Sequence, residues 1–259
     1  MTMSDEIVAS REGAVLTVRL NRPEALNAIT GEMVDAIDAL LDEAVGDGTR
    51  VLVLTGTGRG FSAGADLIRI GNAPGASQAF LKRLQELFVR IAELPMPVIA
   101  AVNGTAMGGG TELILAADFA IAAESVKVGD GHTNVGVIPG GGGAALLHKR
   151  VPPAIAKYVV FTGDRLTAQQ WLQYGLFAEV VPDAELEGRV AALAARLAEK
   201  SPLGLRTIKQ VMRETEGIDD RAAALAVEWR ASEGYQSSHD FAEGLKAFAE
   251  KRKPEFLGR

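Results

Sequence analysis

Three times along the chain, around residues 51, 98 and 119, a run of β-branched and small apolar residues opens directly into a glycine-rich turn and then a helix-forming segment. RVLVLT (Arg50 to Thr55) leads into GTGRGFSAGADL, and PVIAAV (Pro97 to Val102) leads into NGTAMGGGTELILAAD (Asn103 to Asp118). FAIAA (Phe119 to Ala123) is followed by strand and loop, VKVGDGHTNVGVIP, and then by Gly140 to Gly143, which enter a helix through Leu147 and Arg150. Apolar runs without polar alternation belong to strands covered on both faces, so the pattern predicts a parallel-sheet α/β core. The likeness between the units is structural and has no fixed sequence period.

The remaining segments fit around that core. Ile7 to Arg11 and Ala14 to Leu20 read as a hairpin turning at Glu12-Gly13, and NRPEALN (Asn21 to Asn27) breaks the pattern at Pro23. Thr30 is a suitable N-cap for a helix buried through Met33, Ile37, Leu40, Leu41 and Ala44 and ended at Gly46 to Gly48. Gly71 to Ser77 reads as a loop, and Gln78 to Leu94 as an amphipathic helix on Phe80, Leu84, Leu87, Phe88 and Ile91. Beyond Pro152 the pattern is helical, with Ala178 to Val181 the one strand expected there. This divides the chain into an α/β core, residues 1–200, and a helical segment, residues 201–259. Ala223, Leu225, Val227 and Trp229 give that segment more apolar surface than a lone appendage should expose, so it is expected to pack on a partner subunit or across the core.

Composition narrows the chemistry. The 259 residues contain no cysteine, which excludes disulfides, thiolate nucleophiles and Cys-based zinc sites. The three histidines, His132, His148 and His239, lack metal-ligand spacing, so no metal is expected. A net charge of −6 argues against nucleic-acid binding. No long apolar run and no leader-like N-terminus is present, so the expectation is a soluble, cytoplasmic protein without membrane contact. Phe61 occupies the last position a G-x-G-x-x-G fingerprint needs, and no G-K-[ST] pair exists, so neither common phosphate motif fits.

Asn103 to Asp118 carries the sharpest functional signal. A turn with three consecutive glycines before a helix aims unpaired backbone N–H groups at whatever lies above it, which suits an anion or oxyanion. The same residues also fit tight helix-to-sheet packing, with Glu112 a first-turn acid favoured by the helix dipole. Two such turns, at residues 55–66 and 103–112, can bring two N–H groups to one oxygen, the geometry of an oxyanion hole. With no cysteine and no G-x-S-x-G elbow, what remains is proton transfer beside a carbonyl or activation of water, with Glu112 within reach.

FSAGADL (Phe61 to Leu67), PVIAAVNGTAMGGGTEL (Pro97 to Leu113), DFAIAAES (Asp118 to Ser125), NVGVIPGGGG (Asn134 to Gly143) and FAEGLKAFAEKR (Phe241 to Arg252) together resemble the crotonase superfamily, the enoyl-CoA hydratase/isomerase family. The resemblance runs from about Asn21 to the C-terminus. It implies an α/β fold built as a spiral of repeated ββα units, a C-terminal helical segment that forms a homotrimer or dimer of trimers, and an acyl-CoA thioester substrate. Coenzyme A is then part of the substrate and no separate cofactor is implied.

Residue by residue, the resemblance assigns the oxyanion hole to the N–H groups of Ala65 and Gly109. It places Ala25, Leu26, Ala63, Asp66, Leu67, Gly108, Pro139 and Gly140 along the substrate path and brings Lys251 to the CoA of the same or a neighbouring subunit. Asp66 is equally readable as a capping carboxylate for the turn at Leu67 to Arg69, and Lys251 as part of a solvated charge run. Family hydratases pair two glutamates. Glu112 matches the first, whereas His132 stands where the second is expected, in VGDGHTNVG. A histidine is readily poised for acid or base work, and it can also simply hydrogen-bond its own loop. Gly140 departs from the extra acid of dienoyl-CoA isomerases, and no aspartate stands near Ile138 to Gly140 as the dehalogenase-like branch requires. Δ3,Δ2-enoyl-CoA isomerases keep the acid that is missing here. Hydration by Glu112 and His132 is therefore the leading expectation. Hydrolysis or carbon–carbon cleavage of a CoA thioester, or isomerisation, is the alternative.

Overall fold

Each apolar run read as a buried strand lies in one six-stranded sheet of the computed structural model, which describes residues 5–70 and 75–259. β1 (Ile7–Glu12) and β2 (Val15–Leu20) form the antiparallel hairpin, turning at Gly13 with φ 57°. α1 (Gly31–Gly46) follows, its N-cap Thr30 accepting the Met33 N–H at 3.1 Å. Next come β3 (Val51–Gly56), β4 (Gly60–Ser62), α2 (Leu67–Ile70) and α3 (Ala76–Glu93). The expected loop at Gly71 to Ser77 falls mostly outside the described residues. β5 (Val98–Val102), β6 (Thr105–Met107) and α4 (Gly109–Ala116) make a second unit, and β7 (Phe119–Ala123) and β8 (Lys127–Gly129) begin a third. After a 3₁₀ turn at His132–Val135 come α5 (Leu147–Arg150), α6 (Pro153–Thr162), β9 (Arg165–Thr167), α7 (Ala168–Tyr174), β10 (Glu179–Val181) and α8 (Leu186–Ala198). The chain closes with α9 (Pro202–Glu214), α10 (Arg221–Gln236) and α11 (His239–Glu250).

The large sheet runs β1-β2-β3-β5-β7-β10, parallel from β2 onward, and the small one runs β4-β6-β8-β9. Each unit sends its first strand to the large sheet, its second to the small sheet, and then a helix. This is the repeated ββα arrangement of the expected α/β fold. It corrects one detail of the sequence reading: the first two glycine-rich turns each contain a three-residue strand, whereas β8 lies in the stretch already read as strand and loop. Three residues are too few to establish a period-2 pattern, and glycines there hide the pairing. For the same reason β9 went unread, although it pairs antiparallel with β8, Lys127 opposite Thr167. The stretch past Pro152 thus holds two strands.

The expected faces of the helices at 31–46 and 76–93 are the buried ones, Val34 joining the first. α4 contacts strands of both sheets, and all of its residues are buried, including Thr111 and Glu112. The C-terminal helices differ. α9 and α10 bury no side chain fully, and Ile208, Met212, Leu225 and Trp229 remain exposed. α9 is tied to the core through Lys209, whose ammonium donates to Asp118 at 2.8 Å and to the Met96 carbonyl at 3.1 Å. Among the described residues no helix is long and apolar enough to cross a membrane.

Candidate active site

The first and second units meet main chain to main chain. A side chain built on Gly64 would place its Cβ 2.7 Å from the Gly109 nitrogen, and one on Gly109 would lie 3.3 Å from the Ala65 nitrogen. Gly64 takes φ +92° and Gly108 φ +52° with ψ −120°, so both need the freedom glycine gives. The consequence is two adjacent backbone donors. Neither the Ala65 N–H nor the Gly109 N–H is used in a hydrogen bond among the described residues. Gly109 is the first residue of α4, where an N–H has no helical partner and the helix dipole favours negative charge.

These donors open on a cavity of about 220 Å³. Ala63, Ala65, Leu67, Gly108, Gly109, Glu112, His132 and Gly140, all expected at the site, line it. Leu81, Leu84 and Phe88 of α3, with Val135, Val137 and Ile138, add an apolar side. Ala25, Leu26, Asp66, Pro139 and Lys251 lie off its wall. Ala25 and Leu26 sit in a 3₁₀ turn whose Leu26 carbonyl accepts the Ala63 N–H at 2.8 Å, so they support the turn from behind. Asp66 accepts the Arg69 N–H at 3.0 Å and pairs with Arg22 at 2.9 Å, the capping geometry its sequence context allowed. Burial raises the Asp66 pKa, but those hydrogen bonds and the charges of Arg22 and Arg69 outweigh it and leave it lowered. Pro139 backs onto Gly143, and Lys251 is an exposed C-cap of α11 with φ 55°.

Glu112 is 3% exposed, and its Oε1 accepts the N–H groups of Gly141 at 2.7 Å and Gly143 at 3.0 Å. Its Oε2 makes no hydrogen bond among the described residues. The glycine run at 140–143 therefore fixes one carboxylate oxygen and leaves the other for the cavity. Sequence reasoning saw the run but not this convergence, since alternate N–H groups carry no side-chain signal.

His132 opens the 3₁₀ turn and is 16% exposed at its side chain; its Nδ1 lies 2.8 Å from Oδ1 of Asp130. Asp130 is fully buried and was missed, although the signal was present as a carboxylate two residues before His132 between glycines. Burial pushes the imidazole pKa down, but the hydrogen bond to Asp130 and the charges of Asp130 and Glu112 exceed that effect and raise it above its ordinary value. Among the described residues no three His, Asp or Glu side chains cluster as a metal site would require.

The enoyl-CoA hydratase/isomerase family model matches residues 10–259. The chain belongs to that family. Among curated relatives, the 2,3-dehydroadipyl-CoA hydratase of Escherichia coli K12 is 37% identical over 98% of this chain and 99% of its own. The carnitinyl-CoA dehydratase of Salmonella paratyphi A is 37% identical over 99% of this chain and 100% of its own. In solved structures, an enoyl-CoA hydratase from Bacillus anthracis superposes with TM-score 0.94 at 36% identity, covering 98% of this chain and 100% of that one. As a member of this family the protein is a crotonase-fold enzyme, and the paired donors, Glu112 and His132 are the features of its cavity on which a reading of its reaction must rest.

Proposed function

We propose that the protein is an enoyl-CoA hydratase-type lyase that adds water to a 2-enoyl-CoA thioester through an oxyanion-stabilised enolate. The observation that carries this reading is the pair of unused N–H groups at Ala65 and Gly109, opening on the same cavity as Glu112. Two backbone donors suit an oxygen that gains charge during reaction, and one such donor is typically worth about 10²–10³ in rate. The relatives named as a hydratase and a dehydratase support the class of reaction.

In this mechanism the thioester oxygen sits between Ala65 and Gly109. Glu112, oriented by Gly141 and Gly143, takes a proton from water as its oxygen bonds to the β carbon. The alkene electron pair moves toward the thioester, giving an enolate held by the two N–H groups. The imidazolium of His132 then gives its Nε2 proton to the α carbon, and its raised pKa shifts the ring toward that charged form. Proton passage from Glu112 to His132 restores the resting enzyme. No resident cofactor takes part, coenzyme A arriving as part of the substrate.

The assembly we propose is a homotrimer or dimer of trimers joined through residues 201–259, working in the cytoplasm. The exposed Leu225 and Trp229 of α10 support this reading. Screening purified protein against a panel of CoA thioesters, with hydration, isomerisation and CoA release followed together, tests the reaction. Formation of a 3-hydroxyacyl-CoA is expected. Release of free CoA or a shortened acyl-CoA without hydration would replace this reading with the hydrolytic or carbon–carbon-cleaving one.

A further inference from the structure

Asp130 is an ionisable side chain in a place where charge is costly. Its side chain is fully buried at the end of β8, and its Oδ2 has no hydrogen-bond partner among the described residues. Among the described residues its side-chain hydrogen bonding goes to one residue: Oδ1 lies 3.3 Å from the His132 backbone nitrogen and 2.8 Å from the His132 Nδ1. A carboxylate can only accept, so Nδ1 must carry the hydrogen. Nε2 is then the nitrogen left for the cavity, and it lies 3.5 Å from where a side chain would stand on Gly108, the residue next to the Gly109 donor. Gly143 completes the arrangement. A Cβ there would fall 2.3 Å from Oδ2 of Asp130, and its N–H holds Glu112, so one glycine leaves room for one carboxylate while orienting the other.

We propose that Asp130 is a positioning residue: it fixes His132 with Nδ1–H turned inward and Nε2 presented beside the Gly108–Gly109 turn for proton transfer to the substrate. The inference rests on the hydratase reading for the proton's destination, but not for the state of His132. The charged groups that bear on the ring are Asp130 from its own turn and Glu112 from α4. From α6, packed against the same turn, the contacts are the Val160 carbonyl, which accepts from Thr133, and beyond the helix the Gly163 carbonyl, which accepts from Asn134. Of the titratable groups on α6, Tyr158 is engaged by Asp164 and Lys157 is exposed. A cation beside a buried carboxylate offsets the cost of its charge, and the His132 imidazole, 2.8 Å away, is placed to supply one.

The test is ¹⁵N NMR of histidine-labelled protein, tractable because the chain has three histidines. His148→Gln and His239→Gln, neither of which lines the cavity, assign the signal of His132. In the wild-type protein neutral His132 should carry its hydrogen on Nδ1 and titrate above about 6.5, the unperturbed value. Asp130→Asn, close in shape, should lower that midpoint by about 1 pH unit or more. It should also cut kcat for a 2-enoyl-CoA about 10²-fold with KM little changed, and move the alkaline limb of the pH profile down with the NMR midpoint. In a His132→Gln background, Asp130→Asn should cost no further activity. The proposal is overturned if wild-type neutral His132 carries its hydrogen on Nε2, a measurement that needs no Asp130 variant. It is equally overturned if the midpoint ignores Asp130→Asn, or if Asp130→Asn costs the same factor without His132. If the NMR shifts come out as expected while no enoyl-CoA is hydrated, the positioning stands and the assignment of the reaction falls.

Discussion

Glu112 shows how a single side chain is made useful by backbone alone. With Oε1 held by the N–H groups of Gly141 and Gly143, it cannot rotate away from the cavity without giving up two charge-assisted hydrogen bonds. Glu112→Gln keeps the shape and removes the base, so we expect hydration to fall by about 10²–10⁴ with the circular dichroism spectrum unchanged. The donor pair makes a different demand. Gly64→Ala would put a Cβ at φ +92° and 2.7 Å from the Gly109 nitrogen. We expect that substitution to cost about 1–3 kcal/mol of stability in denaturant titrations and to lower kcat by 10-fold or more by parting the two N–H groups. At this scale the two glycine turns and Glu112 were readable from the strand–glycine–helix order, whereas Ala65 and Gly109 were named only through the family resemblance. Asp130 was not readable, because a carboxylate in a glycine-flanked turn ordinarily reads as a turn former and only its burial shows otherwise.

The elements owe their readability to length and pattern. α1 and α3 run 16 and 18 residues with clear apolar faces, and their buried residues follow the expected spacing. Thr30→Ala should remove the cap of α1 and cost about 1 kcal/mol, measured by urea unfolding. β4, β6 and β9 are three residues each and were invisible to periodicity, yet with β8, which falls in the stretch read as strand and loop, they build the small sheet that lies under the site. That sheet is anchored by Trp171 of α7, fully buried with its indole N–H donating to the Val128 carbonyl at 2.9 Å. Trp171→Ala is expected to cost about 3–5 kcal/mol, and it should impair turnover as well because β8 leads into Asp130 and His132. Short strands are therefore specified here by tertiary contact more than by their own sequence.

Over the whole molecule two balances remain. The first is pH. Because the His132 pKa is raised on folding, its contribution to stability is fully present below about 6.5 and is lost as pH rises through the raised folded value. Glu6 and Asp240 shift the other way. For both, burial acts to raise the pKa, but hydrogen bonds to Thr30 and Arg69, and to Ser201, Leu257 and Gly258, lower it overall. Their contribution is present above the ordinary carboxylate range and is lost as pH falls through the lowered values. Unfolding free energy measured against pH should accordingly fall on both sides of a plateau, with the alkaline slope absent in His132→Gln. The second balance is surface. Trp229 is 64% exposed on a helix with no fully buried side chain. If residues 201–259 join subunits, sedimentation should find an oligomer, and Leu225→Glu with Trp229→Glu should shift it toward monomer.

The central claim, that Ala65, Gly109 and Glu112 together add water to an enoyl thioester, is tested most directly by turnover of one substrate by two proteins. Purified wild-type protein mixed with a 2-enoyl-CoA should convert it to the 3-hydroxyacyl-CoA, and Glu112→Gln, equally folded, should do so at least 10²-fold more slowly. Equal rates from the two proteins, or consumption of the thioester that yields free CoA and no 3-hydroxyacyl product, would contradict it.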